Sequence, residues 1–166
     1  MTKESVHYDT TAGQEELRKR GLQPLPKPDE LTAPYWQAAR QHQLKIQCCD
    51  ACGEFQHPPK AECERCGSAN LEWQEISGKA EVYSFVIDRR LMIPSFEEPY
   101  VVAQINPVEA RRNTVRITAN ICDCELEDVY IGMPVEVFFE DRSEDISLPQ
   151  FRPGPGAKLK SRGETP

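Results

Sequence analysis

Two cysteine pairs, Cys49-Asp50-Ala51-Cys52 and Cys63-Glu64-Arg65-Cys66, constrain this chain more than any other feature. Each is a C-x-x-C followed directly by glycine, Gly53 or Gly67, and ten residues separate the pairs. Two thiolates at that spacing grip one metal ion from a tight turn, and the glycine lets the backbone turn back with positive φ. Two such turns make a tetrahedral all-thiolate site with Cys49, Cys52, Cys63 and Cys66 as ligands and zinc as the metal. A closed site leaves no position for water or substrate. The metal is therefore expected to fold the chain rather than to do chemistry. Cys48 adjoins a ligand but breaks the two-residue spacing and is read as a bystander.

With 166 residues the chain has room for one ordinary domain or two small ones. A segment of about thirty residues buries too little apolar surface to be stable alone, and zinc offsets that deficit. The first residues, MTKESVHYDTTAG, lack the charged-then-apolar pattern of a secretory signal, and no stretch has the length of a membrane span. Seven cysteines in such a chain point to a reducing compartment, and the cytoplasm is the expected location. Residues 44–76 carry three basic and six acidic side chains, and residues 77–148 carry seven and fourteen. Zinc ribbons that bind nucleic acid present a basic surface to the phosphates, so this balance disfavours nucleic acid.

Local patterns divide the chain into an N-terminal arm (1–43), a metal segment (44–76), a β segment (77–152) and a disordered basic tail (153–166). Thr11 and Gln14 form a capping box before a helix over 12–20 that ends at Gly21. Pro24 to Pro28 reads as an extended linker. A second helix is expected from Thr32 to Gln43, with Pro34 in its first turn and Tyr35, Trp36 and Ala39 on its apolar face. Two large aromatics on a short helix must bury against something. They either anchor the helix to its own domain or dock a partner.

Leu44–Gln47 and Leu71–Ile76 alternate as strands into the first knuckle and out of the second. His57, before Pro58 and Pro59, shapes the loop between them or lies at its surface. Further strands are expected over Ala80–Arg89, Tyr100–Ile105, Thr114–Ile121, around Val135–Glu140 and over Asp145–Phe151. A helical turn over Glu125–Val129 separates the third from the fourth. Val82, Tyr83, Phe85, Val86 and Ile87 make the first of these strands apolar on both faces, as if it were covered twice. Five short strands with an insertion between the third and fourth fit an OB-fold barrel. The fold class is thus mainly β: N-terminal helices, a zinc ribbon, then a five-stranded OB-fold barrel.

Catalytic chemistry finds little support. Cys122 and Cys124 form a C-x-C, but no histidine follows His57, so neither has a sequence-local base. They read as core or strand-end residues, and the Glu125, Glu127 and Asp128 cluster as solvated charge. No phosphate-cradling glycine loop or hydrolase motif occurs, and no catalytic residue is assigned.

The order of these features resembles the OB-fold proteins with a rubredoxin-like zinc ribbon, the family catalogued as domain of unknown function 35. The resemblance runs through Ala33-Pro34-Tyr35-Trp36, the two knuckles, His57-Pro58-Pro59, Leu71-Glu72-Trp73 and Val82-Tyr83-Ser84-Phe85. It continues with Pro99-Tyr100-Val101-Val102-Ala103, Asp128 to Val137 and Leu148 to Pro153, covering about residues 31–153. Residues 1–30 and the basic tail fall outside it, and the N-terminal segment suits wrapping around a partner. The resemblance implies an accessory subunit of a thiolase-superfamily enzyme acting on acyl-CoA, in a heteromeric complex expected to be a heterotetramer. The catalytic residues of such a retro-aldolase or thiolase lie in the partner, and steroid side chains or aromatic acids are its substrates. Tyr35 and Trp36 are then candidate partner contacts. Lys60, Arg65, Arg89, Arg90, Arg111 and Arg112 are the cations available for CoA phosphates, none of them assigned. A nucleic-acid-binding ribbon module and a stand-alone acyl-CoA binding protein are the alternatives.

Overall fold

Asp29 and Thr32 close on each other just before the first described helix. The Thr32 N–H donates to Asp29 Oδ1 at 2.7 Å, and the Asp29 N–H donates to Thr32 Oγ1 at 3.0 Å. Helix α1 (Ala33–Arg40) follows, with Pro34 in its first turn. The computed structural model describes residues 25–89, 99–110 and 115–160. The helix expected over 12–20, Arg90, Arg111 and Arg112 lie outside the described residues. The second helix ends before Gln43 because His42 takes a left-handed φ of 56°. The His42 and Gln43 N–H groups turn back onto Ala39 O and Ala38 O at 2.9 and 3.0 Å, a Schellman cap.

Three antiparallel strands form the first sheet: β1 (Lys45–Cys49), β2 (Phe55–Gln56) and β3 (Leu71–Glu75), in the order β2-β1-β3. The short β2 has no counterpart in the strands read from the sequence. Two residues are too few to show a period. Five strands close a barrel: β4 (Lys79–Asp88), β5 (Tyr100–Pro107), β6 (Ile117–Ile121), β7 (Pro134–Asp141) and β8 (Ser147–Pro153). Their order is β4-β5-β6-β8-β7, with β7 returning to β4, and only the β6–β8 pair is parallel. This is the five-stranded OB-fold, with a single 3-10 turn (Leu126–Asp128) in the connection from β6 to β7.

Alternation along β5 and β6 puts Val101, Ala103, Ile105, Ile117, Ala119 and Ile121 inside, around fully buried Phe151 and Met133. Tyr35, Leu44, Ile46 and Ile76 join the same core, so α1 and the first sheet pack continuously with the barrel. Strand β4 departs from the expected double cover. A register shift between Val82 and Ser84 turns the strand, and Tyr83 and Val86 point outward, 46% and 59% exposed. The tail departs too. Residues 154–160, expected to be disordered, lie against the barrel. The Lys158 N–H donates to Tyr130 Oη at 3.1 Å, and Ala157 packs on the core. No helix among the described residues is long and apolar enough to cross a membrane.

Candidate metal centre

The two knuckles are built alike. Cys49 ends β1, its N–H donates to Glu54 O at 2.8 Å, and the Gly53 N–H returns to Cys49 O at 2.7 Å. In the second, the Cys63 N–H donates to Ser68 O at 2.8 Å and the Gly67 N–H to Cys63 O at 2.8 Å. Gly53 and Gly67 hold φ of 71° and 74°, a conformation that costs other L-residues about 1–2 kcal/mol. A hydrogen bond from the Asp50 N–H to Asn70 O, at 3.0 Å, ties the first turn to the chain leaving the second.

The four sulfurs, Cys49, Cys52, Cys63 and Cys66, lie within 4.8 Å of one another. Cys49 Sγ is 3.6 Å from Cys66 Sγ, and Cys52 Sγ is 3.7 Å from Cys63 Sγ. A tetrahedron with Zn–S bonds of about 2.3 Å has edges of about 3.8 Å, so these thiols fit zinc without rearrangement. At Cys49 burial pushes the thiol up, but the N–H groups of Cys52 and Ala51 and the neighbouring sulfurs outweigh it and bring the group to about 7. Cys49 is thus the thiol readiest to ionise, while neighbouring sulfurs raise Cys52 and Cys66 and leave their protons to be displaced when a metal binds. Zinc here supplies structure; with four sulfurs bound it has no open position.

Cys48 stands outside this cluster. It alternates with Gln47 and Cys49 along β1 and faces away from the sulfurs, and burial raises its thiol. Burial likewise pushes Cys122 up to about 11 and raises Cys124, so neither is an ionised nucleophile near neutral pH. Glu127 pairs with Arg89 at 2.9 Å across the surface, whereas Asp128 is buried.

His57 is half-buried. Its ring packs on Tyr35 with centroids 5.2 Å apart, its Nδ1 is buried without a hydrogen-bond partner, and burial lowers it to about 4. Of the two aromatics on α1, Tyr35 is itself core, 7% exposed. Trp36 meets Tyr35 edge-on at 5.0 Å and is half-buried.

Sequence reading passed over Gln47 and Gln56. They are cross-strand partners on β1 and β2, both buried, and they bond to each other at 2.9 Å and to the main chain of the loop between the knuckles. Their one signal is a polar residue within a strand that leads into a metal turn.

Comparison with known proteins agrees with this geometry. Residues 36–72 match the ChsH2 rubredoxin-like zinc ribbon domain, and residues 73–140 match the ChsH2 C-terminal OB-fold domain. A DUF35 domain-containing scaffold protein of Methanocaldococcus jannaschii is 35% identical over 122 residues, which are 70% of this chain and 82% of that one. This chain belongs to the DUF35 family. Its zinc ribbon is thus the family's, and zinc is the metal of the four-cysteine site. This DUF35 chain is also 34% identical over 140 residues to a probable enoyl-CoA hydratase alpha subunit of Thermomonospora curvata. That match takes 84% of this chain but 43% of the relative. A 3-oxo-4,17-pregnadiene-20-carboxyl-CoA hydratase alpha subunit of Mycobacterium tuberculosis is 30% identical over 122 residues, 74% of this chain and 37% of that one. The chain thus spans less than half the length of either hydratase subunit. Among solved structures it superposes on a chain of the Ltp2-ChsH2(DUF35) aldolase with a TM-score of 0.70 and 34% identity, covering 78% of this chain and 98% of that one.

Proposed function

We propose that this DUF35 chain is a non-catalytic, zinc-stabilised subunit that binds and supports an acyl-CoA enzyme of the thiolase superfamily. The partner carries the catalytic residues of a carbon–carbon lyase or thiolase and shares the acyl-CoA with this chain in a heteromeric complex. The observation that carries this reading is the match over 98% of a chain from the Ltp2-ChsH2(DUF35) aldolase. The name of the mycobacterial relative favours a steroid side-chain acyl-CoA as the substrate class.

The chemistry of the described residues supports the accessory role. The metal site is closed, and burial holds the thiols outside it in the protonated form. Six large apolar side chains stand exposed among the described residues: Leu31, Tyr83, Val86, Val108, Ile131 and Leu159. Tyr83 and Val86 are on β4. Val108 donates its N–H to Lys79 O on β4 at 3.0 Å, and Ile131 precedes Gly132, whose N–H reaches Val82 O at 2.7 Å. Leu159 follows Lys158, which is bonded to Tyr130. Exposed apolar side chains of this kind suit a subunit contact, with half-buried Trp36 as an additional one.

The test is a pull-down of the tagged chain from its native cells, with mass spectrometry and metal analysis of the eluate. A thiolase-superfamily protein at near-equal stoichiometry, with one zinc per copy of this chain, is expected. Recovery of nucleic acid, or acyl-CoA binding by the zinc-loaded chain with no partner enzyme in the eluate, overturns the proposal.

A further inference from the structure

We infer that Gln47 and Gln56 are positioning residues of the zinc centre: together they hold the second knuckle over the first and set how fast the metal leaves. The inference rests on the zinc site alone and does not depend on the identity of a partner.

The first knuckle is carried by regular structure, because Cys49 ends β1 and Phe55–Gln56 pairs back onto it. The second lies in residues 57–70, which contain no strand. Regular structure holds it only at its exit, through the Asp50 N–H to Asn70 O bond and the pairing of Leu71 with Cys49. Its own backbone bonds, Cys63 N–H to Ser68 O and Gly67 N–H to Cys63 O, shape the turn but do not fix where it sits. Two buried amides supply that placement on the entry side. Gln47 Oε1 accepts the Lys60 N–H at 2.8 Å, and Gln47 Nε2 donates to Lys60 O at 3.0 Å. Gln56 Oε1 accepts the Glu64 N–H at 3.2 Å, and Gln56 Nε2 donates to Glu62 O at 3.4 Å and to Gln47 Oε1 at 2.9 Å. Glu62 and Glu64 are the immediate neighbours of Cys63, so the pair clasps the chain on both sides of a ligand.

The placement follows from strand geometry. Gln47 and Gln56 are opposite each other in register, and Gln47 shares its face of β1 with Cys49, two residues on. The amides thus project from the sulfur side of the sheet, under the loop. Only a side chain with both a donor and an acceptor satisfies the N–H and C=O of Lys60 together, which an apolar residue of similar size leaves orphaned. Of the ion pairs nearby, Lys60 with Glu64 is exposed and contributes little. Arg65 with Glu54, at 2.7 Å and with the Glu54 side chain 14% exposed, is a further tie between the knuckles beside the amides.

Zinc leaves a closed tetrathiolate site when one knuckle swings off and exposes the metal to a competing ligand. Here the half with less strand support is the second knuckle, and the glutamine bonds resist its movement. Groups that orient metal ligands from outside the coordination sphere typically change metal affinity about 10–100-fold when removed. In the zinc-loaded full-length protein, Gln47→Leu and Gln56→Leu are each expected to speed zinc transfer to a chromogenic chelator at least about tenfold. Gln74→Leu, an exposed position on β3, serves as the control and leaves the rate unchanged. The cobalt-substituted variants are expected to keep the tetrahedral thiolate spectrum, since all four sulfurs remain. Should Gln47→Leu fail to fold, Gln56→Met decides the matter, because it leaves both Lys60 bonds in place. Transfer rates within about twofold of the control overturn the inference. So does loss of the tetrahedral cobalt spectrum, which would make the glutamines necessary for the ligand set rather than for its lifetime.

Discussion

Gly78 sits where the chain leaves the first sheet for the barrel, and its replacement by alanine tests how tightly that junction is built. Its φ is 76°, and a Cβ added there would lie 2.2 Å from Val137 Cγ1 and 3.2 Å from Val137 Cβ. Two costs combine. A left-handed backbone at a non-glycine residue costs about 1–2 kcal/mol. Forcing a methyl against a β-branched side chain, which has few rotamers to retreat into, costs about 1–3 kcal/mol more. Gly78 O also accepts the Val137 N–H at 2.9 Å, and Lys79 pairs with Glu136 beside it, so the chain cannot move away without opening the β4–β7 seam that closes the barrel. The expected loss for Gly78→Ala is therefore about 2–5 kcal/mol. Gly132→Ala is the internal standard. Its φ is 82°, but nothing lies within 4 Å of the added Cβ, so it should lose only the backbone part, about 1–2 kcal/mol. Urea denaturation of the zinc-saturated proteins, followed by far-ultraviolet circular dichroism, measures both. Adding Val137→Ala to Gly78→Ala should recover part of the loss, since it removes the atom that is struck. Equal losses at Gly78 and Gly132, or no relief from Val137→Ala, would refute the reasoning.

Metal analysis should find one zinc per chain in Cys48→Ser, Cys122→Ser and Cys124→Ser, and none retained by Cys63→Ser after dialysis against a chelator. A substoichiometric Cys48→Ser would mean that this thiol competes for the ion. Tyr35→Ala removes a buried ring from the core and from His57, and is expected to cost about 3–5 kcal/mol in thermal or urea denaturation. A loss below about 1 kcal/mol would show that α1 is not anchored through this side chain. Asp141 is held below the ordinary 3.8 first by the Ser147 hydroxyl, at 2.6 Å, and then by His42. A carboxylate depressed on folding stabilises the native state above its unfolded value and loses that contribution as pH falls through the folded one. The gap in denaturation midpoint between wild type and Ser147→Ala should therefore hold steady above about pH 4 and close below it. A gap that widens on acidification would contradict this assignment.

The metal ligands and the fold class were legible in the sequence because their signals are local. A C-x-x-C-G turn needs nothing beyond its own five residues to aim two sulfurs, and period-two alternation marks each barrel strand wherever its neighbours lie. Spacing alone therefore identified Cys49, Cys52, Cys63 and Cys66, and five short strand-forming runs with one insertion identified the OB-fold. Alternation reports that a face is covered or exposed only when the strand is regular. The register shift between Val82 and Ser84 broke that inference for β4 and left Tyr83, under the Arg116 guanidinium, and Val86 exposed on its outer side. The end of α1 was hidden for a similar reason, since nothing marks His42 as left-handed until the chain must turn into β1.

Only the tertiary structure decided the rest. Gln47, Gln56, His57 and Tyr35 owe their roles to groups brought to them from elsewhere in the chain. Whether a glutamine in a strand is solvated or buried depends on which main-chain N–H and C=O groups come to rest above it, and here they are those of Lys60, Glu62 and Glu64. A buried polar side chain is stable only when such groups satisfy it. Their arrival is a property of the folded loop, and no residue type or spacing encodes it.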